Sequence, residues 1–242
     1  MDFSDWHLYV LLITYFFTAA FSAAVGMGGG IMITAVLGTM LPAHAVVPVQ
    51  TAMLFFNTGF RAWVYKPHIQ WLILWPFALG IGTGAIIGAF VYVNLPANII
   101  QFLMATTMIL FTWAPLGQKV LMHSKTLQIS LATLHGIITS MTGIGGLLQS
   151  VFSKMNLPRK QFIGTFSALM MTSNIFRALG LGLAGASVAP YWWLVIIGMP
   201  VGFLGTYVGK RLFDGMDDRW FNVIFKALIT ILAFIMFYKA LA

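Results

Sequence analysis

Apolar residues run along this chain in long stretches, and polar residues are confined to short intervals between them. Ten stretches stand out. Five lie at roughly 7–25, 31–41, 44–62, 69–93 and 97–115, and five at 127–142, 147–155, 160–181, 190–209 and 219–240. Several reach the roughly 17–25 residues that an α-helix needs to cross the hydrocarbon core of a bilayer. They do not alternate apolar with polar, which excludes the strands of an outer-membrane barrel. The predicted class is an all-α integral membrane protein. Segments 31–41 and 147–155 are too short to cross comfortably. Each fits either a short span or a re-entrant helix folded back on the segment before it.

Both short segments follow glycine clusters. Gly26-Met27-Gly28-Gly29-Gly30 interrupts one apolar run, and Gly143-Ile144-Gly145-Gly146 interrupts another 117 residues later. Backbone groups freed by a break are costly in lipid, so breaks persist where protein or a water-filled cavity satisfies them. Other landmarks recur in the same order: Leu41-Pro42 with Leu157-Pro158, Asn57 with Asn174, Arg61 with Arg177, and Gly84-x-x-x-Gly88 with Gly205-x-x-x-Gly209. The chain therefore reads as two repeats, 1–118 and 119–242, of about five helical segments each, within one membrane domain. An odd segment number inverts the second repeat relative to the first. Secondary transporters built this way join broken helices from both halves near the bilayer midplane. The symmetry is imperfect, because Gly30 is matched by Leu147 and the Asn57–Arg61 spacing exceeds Asn174–Arg177 by one residue.

Composition sharpens this picture. The chain is 60% hydrophobic and 7% charged, with a mean hydropathy of +0.92, against roughly 25% charged residues in soluble domains. No polar interval is long enough for a soluble domain. Asp2 and Asp5 stand where a signal peptide would carry basic residues, so the first stretch reads as retained. With no cysteine, disulfides, thiol catalysis and thiolate metal sites are excluded. The net charge of +8 reads as basic loops rather than as a nucleic-acid surface. Arg61 with Lys66, Lys119 with Lys125, Lys154 with Arg159 and Lys160, and Lys210 with Arg211 and Arg219 fall on one side. Intervals 42–44, 94–97, 143–146 and 182–190 carry no Lys or Arg. The positive-inside rule then places both termini outside.

The five acids are all aspartate, at positions 2, 5, 214, 217 and 218, and none falls within an apolar stretch. That excludes a carboxylate proton relay, a two-aspartate protease and a carboxylate cation site at membrane depth. Amides, hydroxyls, glycine backbone, a histidine and arginines remain, a set that suits an anion. Helices starting after the breaks would turn free N–H groups of Gly28, Gly29, Gly30, Gly145 and Gly146 toward an oxyanion. The alternative is that the same glycines permit close packing or a turn between helices. The series at 80, 84 and 88, and at 198, 202, 205 and 209, reads as packing.

Gln50, Asn57 and Arg61 share a stripe on the third segment, and Ser167, Asn174 and Arg177 a broader face on its counterpart. With Gln149, the amides and Ser167 would orient a bound anion, or else bond between helices. Arg177, near the outer end of its segment, would steer or gate. Arg61 would do the same at the inner side, but ordinary snorkelling to the cytoplasmic interface is the favoured account of it. His135 is the only histidine well inside an apolar segment. It would bind an anion or carry a proton, or be a satisfied buried histidine.

The Gly26-x-Gly28-Gly29 break, Leu41-Pro42, then Gln50-Thr51 and Asn57, followed by Gly143-x-Gly145-Gly146, Leu157-Pro158 and Asn174, resembles the sulfite exporter TauE/SafE family across nearly the whole chain. The resemblance implies a bacterial or archaeal cytoplasmic-membrane transporter of sulfite or organosulfonates, exporting more often than importing. The expectation is alternating-access transport of a small anion. Its partners would be that anion and the lipid bilayer, with no cofactor, metal or nucleic acid. An anion channel with a glycine-rich re-entrant filter is the main rival. A membrane enzyme would lack its nucleophile and base, and a bare scaffold would have no use for two breaks.

Overall fold

The computed structural model describes residues 5–25, 29–113, 124–152, 155, 157–212 and 218–241. Regular structure among them is helical throughout. The helices are α1 (Asp5–Val25), α2 (Gly29–Met40), α3 (Ala43–Val64), α4 (Trp71–Asn94), α5 (Ala97–Trp113), α6 (Lys125–Thr142), α7 (Gly146–Phe152), α8 (Arg159–Leu183), α9 (Trp192–Leu212) and α10 (Asp218–Leu241). Short 3-10 turns, Lys66–His68 and Ala189–Tyr191, lead into α4 and α9. Each apolar stretch has become one helix.

Local chemistry sets the ends. Pro42 (φ −57°, ψ 142°) and Pro158 (φ −51°, ψ 140°) are the N-caps of α3 and α8. Proline has no N–H to leave unpaired there, and its φ is already fixed. Ser124 caps α6 by accepting the Leu127 N–H at 3.4 Å. Gly143 ends α6 in the left-handed region at φ +74°, its N–H donating to the Thr139 carbonyl at 2.8 Å.

By length and composition, Trp71–Asn94, Arg159–Leu183 and Ala189–Gly209 are long and apolar enough to cross a membrane. Shorter apolar helices cover Leu8–Ala23, Gly29–Met40, Ala97–Trp113 and Ile229–Leu241. At 12 and 7 residues, α2 and α7 rise only about 18 and about 10 Å. Neither crosses a core roughly 30 Å thick by itself.

Packing exchanges elements between the halves. α4 lies along α6, α1 along α9, α3 along α8, and α5 along α10. Glycine makes the first two contacts possible. A Cβ at Gly88 would come within 2.6 Å of the Ile137 carbonyl oxygen, and one at Gly84 would overlap the Thr133 backbone. On the other side, a Cβ at Gly205 would meet the Phe16 carbonyl at 2.5 Å, and one at Gly209 would overlap the Ala20 backbone. Small residues let helix backbones approach this closely in lipid. The glycine series therefore packs helices, as its spacing predicts.

The registers give directions. Gly80, Gly84 and Gly88 meet positions 129, 133 and 137 in turn, so α4 and α6 run parallel. Gly198 and Gly209 meet Tyr15 and Ala20, so α9 and α1 run parallel. Gly164 faces Tyr65 and Met171 faces Gly59, so α3 and α8 run antiparallel. Together these registers bring Lys66, Lys125, Arg159, Lys160 and Arg211, all exposed, to one end of the bundle. The flanks expose Trp63, Leu72, Trp75 and Phe234 among many large apolar residues, as lipid-facing surface requires.

Candidate functional site

Where α3 and α8 cross, walls from α1, α2, α6 and the second glycine break enclose a cavity of about 60 Å³. Arg61 and Arg177 both line it, and each is 3% exposed. Arg61 donates through Nε to Ser167 Oγ at 2.6 Å, and through Nη1 to the Ser22 carbonyl at 2.6 Å and to the Ser22 hydroxyl. Arg177 donates through Nη1 to the Thr139 carbonyl at 2.7 Å and through Nη2 to Asn174 Oδ1. The Asn174 amide continues to Thr58 Oγ1 at 3.2 Å. Ser22 and Thr139 lie 117 residues apart and the arginines 116 apart, and each arginine is anchored on a carbonyl from its own half of the chain.

One alternative for these arginines is set aside. Arg61 does not snorkel to an interface, because carbonyl and hydroxyl acceptors on α1 and α8 hold its guanidinium inside. Arg177 is equally buried. Its position along α8 faces the same cavity as Arg61, since the antiparallel crossing brings positions 58 and 174 together.

The glycine breaks also meet. The Gln50 amide nitrogen donates to the Gly30 carbonyl at 3.1 Å, to the Gly143 carbonyl at 2.7 Å and to Thr34 Oγ1. Thr34 Oγ1 itself donates to the Gly30 carbonyl at 2.8 Å and approaches the Gly143 carbonyl at 3.3 Å. Gln50 is fully buried and straps the two breaks together rather than lining the cavity. A side chain on Gly143 would meet this strap, with Thr34 Oγ1 2.9 Å from its Cβ.

The remaining expected site residues divide. Gly29, Gly30, Asn57, Gly145, Gln149 and Asn174 line the cavity. Ser167 acts through Arg61, as its hydroxyl bond shows. Gly146 lies away from the cavity, where an added Cβ would overlap Phe111. Gly28, with Gly26 and Met27, lies outside the described residues. His135 is fully buried, accepts the Leu148 N–H on Nδ1 at 3.4 Å and has no partner for Nε2. It thereby steadies the start of α7. Ser22, Thr139, Thr18 and Thr58 escaped the sequence reading. A signal for the first two was present, since each stands four residues before its glycine break.

Size does not pick out this cavity. A larger one, about 590 Å³, lies between α3 and α8 near Pro48, Phe55, Phe56, Ile175 and Leu179, and it has no charged side chain in its wall. Chemistry distinguishes the smaller cavity, with two buried cations whose acceptors are all neutral among the described residues. A family model, sulfite exporter TauE/SafE, matches residues 11–236. The chain belongs to the sulfite exporter TauE/SafE family. The matched span encloses every residue of the two-arginine cavity, from Tyr15 to Arg177. No curated protein and no solved structure matches the chain. Membership makes this TauE/SafE protein a multi-pass membrane transporter, a sulfite exporter at the level of the family.

Proposed function

We propose that this TauE/SafE protein exports a small sulfur-containing anion, sulfite or an organosulfonate, by alternating access between two inverted halves. The two-arginine cavity is its anion site. One observation carries the reading: a buried arginine from each half faces a single cavity, and no carboxylate accompanies either among the described residues. A buried charge without a counter-ion is strongly destabilising, and a bound anion supplies the missing charge. Arg61 and Arg177 hold the anion, while Asn57, Asn174 and Gln149 orient it. Gly29 and Gly30 at the start of α2, and Gly145 in the second break, let backbone approach closely. At seven residues α7 has little dipole to offer, so the guanidiniums carry more of the binding than the helix ends.

The inverted arrangement is supported by helix directions. α1, α3 and α9 run toward the basic end of the bundle, and α4, α6 and α8 run away from it. With that end in the cytoplasm, both termini lie outside the cytoplasmic membrane. A cytoplasm-negative potential then drives an anion outward with about 2.3 kcal/mol per charge per 100 mV.

The test is flux into liposomes under an imposed potential, comparing sulfite, an organosulfonate that also bears a carboxylate, and chloride. Saturable flux selective for the sulfur anions is expected. Absence of selective flux from a folded preparation would overturn the reading, and single-channel currents would establish a channel instead. Tags on the two termini should both report an external location in cells.

A further inference from the structure

Building on the cavity as the anion site, we propose that the bound and transported species is a doubly charged oxyanion, with one charge set against each arginine. The argument is a charge count. Guanidinium groups keep their charge in proteins, so the cavity wall carries two positive charges. Their hydrogen-bond acceptors among the described residues are Ser22, Ser167, Thr139 and Asn174, all neutral. The chain has no glutamate, and its five aspartates sit at positions 2, 5, 214, 217 and 218, outside the apolar stretches. Tyr15 lines the cavity, and among the described residues Tyr65, Tyr92 and His135 are the other titratable groups in electrostatic reach of the arginines. None of them supplies negative charge near neutral pH.

A monoanion in this cavity leaves one buried positive charge uncompensated, whereas a dianion compensates both. The symmetry points the same way. Each guanidinium is fixed by Nη1 on a carbonyl of its own half, Ser22 or Thr139, so the two charges face the anion from opposite halves. Donors remain for it, because Arg177 Nε and Thr18 Oγ1 are buried at this wall without partners. At roughly 10–15 Å³ for each water-sized position, a cavity of about 60 Å³ takes a compact oxyanion.

Thiosulfate and methanesulfonate test this directly. They have the same number of non-hydrogen atoms and nearly the same shape, but differ by one negative charge. The full-length protein in liposomes should carry thiosulfate at least about tenfold faster than methanesulfonate. Sulfite changes from monoanion to dianion near neutrality. At constant total concentration its flux should rise from one pH unit below neutrality to one above, while thiosulfate flux stays level. Arg61→Gln and Arg177→Gln should each lower the thiosulfate-to-methanesulfonate ratio by about tenfold or more. Arg61→Lys and Arg177→Lys, which retain the charge, should preserve most of it. The ratio is internal to each preparation, and if the glutamine variants do not fold, the wild-type ratio and the lysine variants still decide.

Equal carriage of the two isosteric anions, or sulfite flux that falls as pH rises, would overturn the dianion and leave anion transport standing. No flux and no binding of any of the three anions by folded protein would overturn both.

Discussion

Arg61 and Arg177 lie 116 residues apart, one in each half of the chain, and their seats are built differently. Arg61 is held across the halves, by Ser22 on α1 and by Ser167 on α8. Arg177 is held within its own half, by Thr139 on α6 and by Asn174 one turn earlier on α8, and its Nε has no partner. The breaks differ in the same sense, with α2 12 residues long and α7 only 7. What the two seats share is the cation and its backbone anchor. What differs is the side-chain company around them. A backbone carbonyl is present whatever the residue, so its contact survives substitution, whereas a side-chain partner is lost with a single change. Arg61 is accordingly the more tightly bound into the fold, and Arg177 has the donor left for a ligand.

Removing either charge tests the comparison most severely. Arg61→Gln and Arg177→Gln should each reduce sulfite flux by about 100-fold, the scale for removing one member of a buried hydrogen-bonded charge contact. Detergent melting should separate them. Arg61→Gln should be the less stable by about 1 kcal/mol, because it orphans partners on two other helices. Equal stability would mean that the cross-half seat adds nothing.

The glycine contacts come next. Gly84→Ala and Gly209→Ala push a methyl into the backbone of a parallel neighbour from the opposite half. Each should destabilise by about 2 kcal/mol. Gly182→Ala, with nothing within 4 Å of the new atom, should stay within about 0.5 kcal/mol of the parent. A large difference between the first two variants would show that the halves do not pack equivalently.

Gln50→Leu removes the strap between the breaks and should slow transport about tenfold, with a stability loss of about 1 kcal/mol. Ser167→Ala removes a single bond to Arg61 and should do less on both counts. His135→Leu should have the smallest effect, about 0.5 kcal/mol, since its contact to Leu148 is long. A loss of flux far beyond that, measured under a proton gradient, would assign His135 a role in proton movement instead.

Much of the fold was legible because lipid makes hydropathy an almost direct record of helices. The segment at 69–93 became Trp71–Asn94, and Leu41-Pro42 and Leu157-Pro158 mark helix starts that proline chemistry dictates. The candidate site was less legible. Gln50 and Asn57 share a stripe, but only Asn57 reaches the cavity, because Gln50 lies where Gly30 and Gly143 converge. Ser22 and Thr139 looked like ordinary hydroxyl residues in apolar helices, and what they share is a backbone carbonyl acceptor that every residue has.

The sequence by itself determined the helices, the paired breaks, the duplicated landmarks and the sign of the charge left at depth. Each of these is local, set by hydropathy, by proline and glycine geometry, or by the absence of acids. Only the tertiary structure decided that Arg61 and Arg177 share a cavity. An arginine near the end of a helix turns toward water or inward according to the acceptors that neighbouring helices bring to it. Here those acceptors come from α1, α6 and α8, and residues as far apart as 22, 61, 139 and 177 meet only when the two halves pack together.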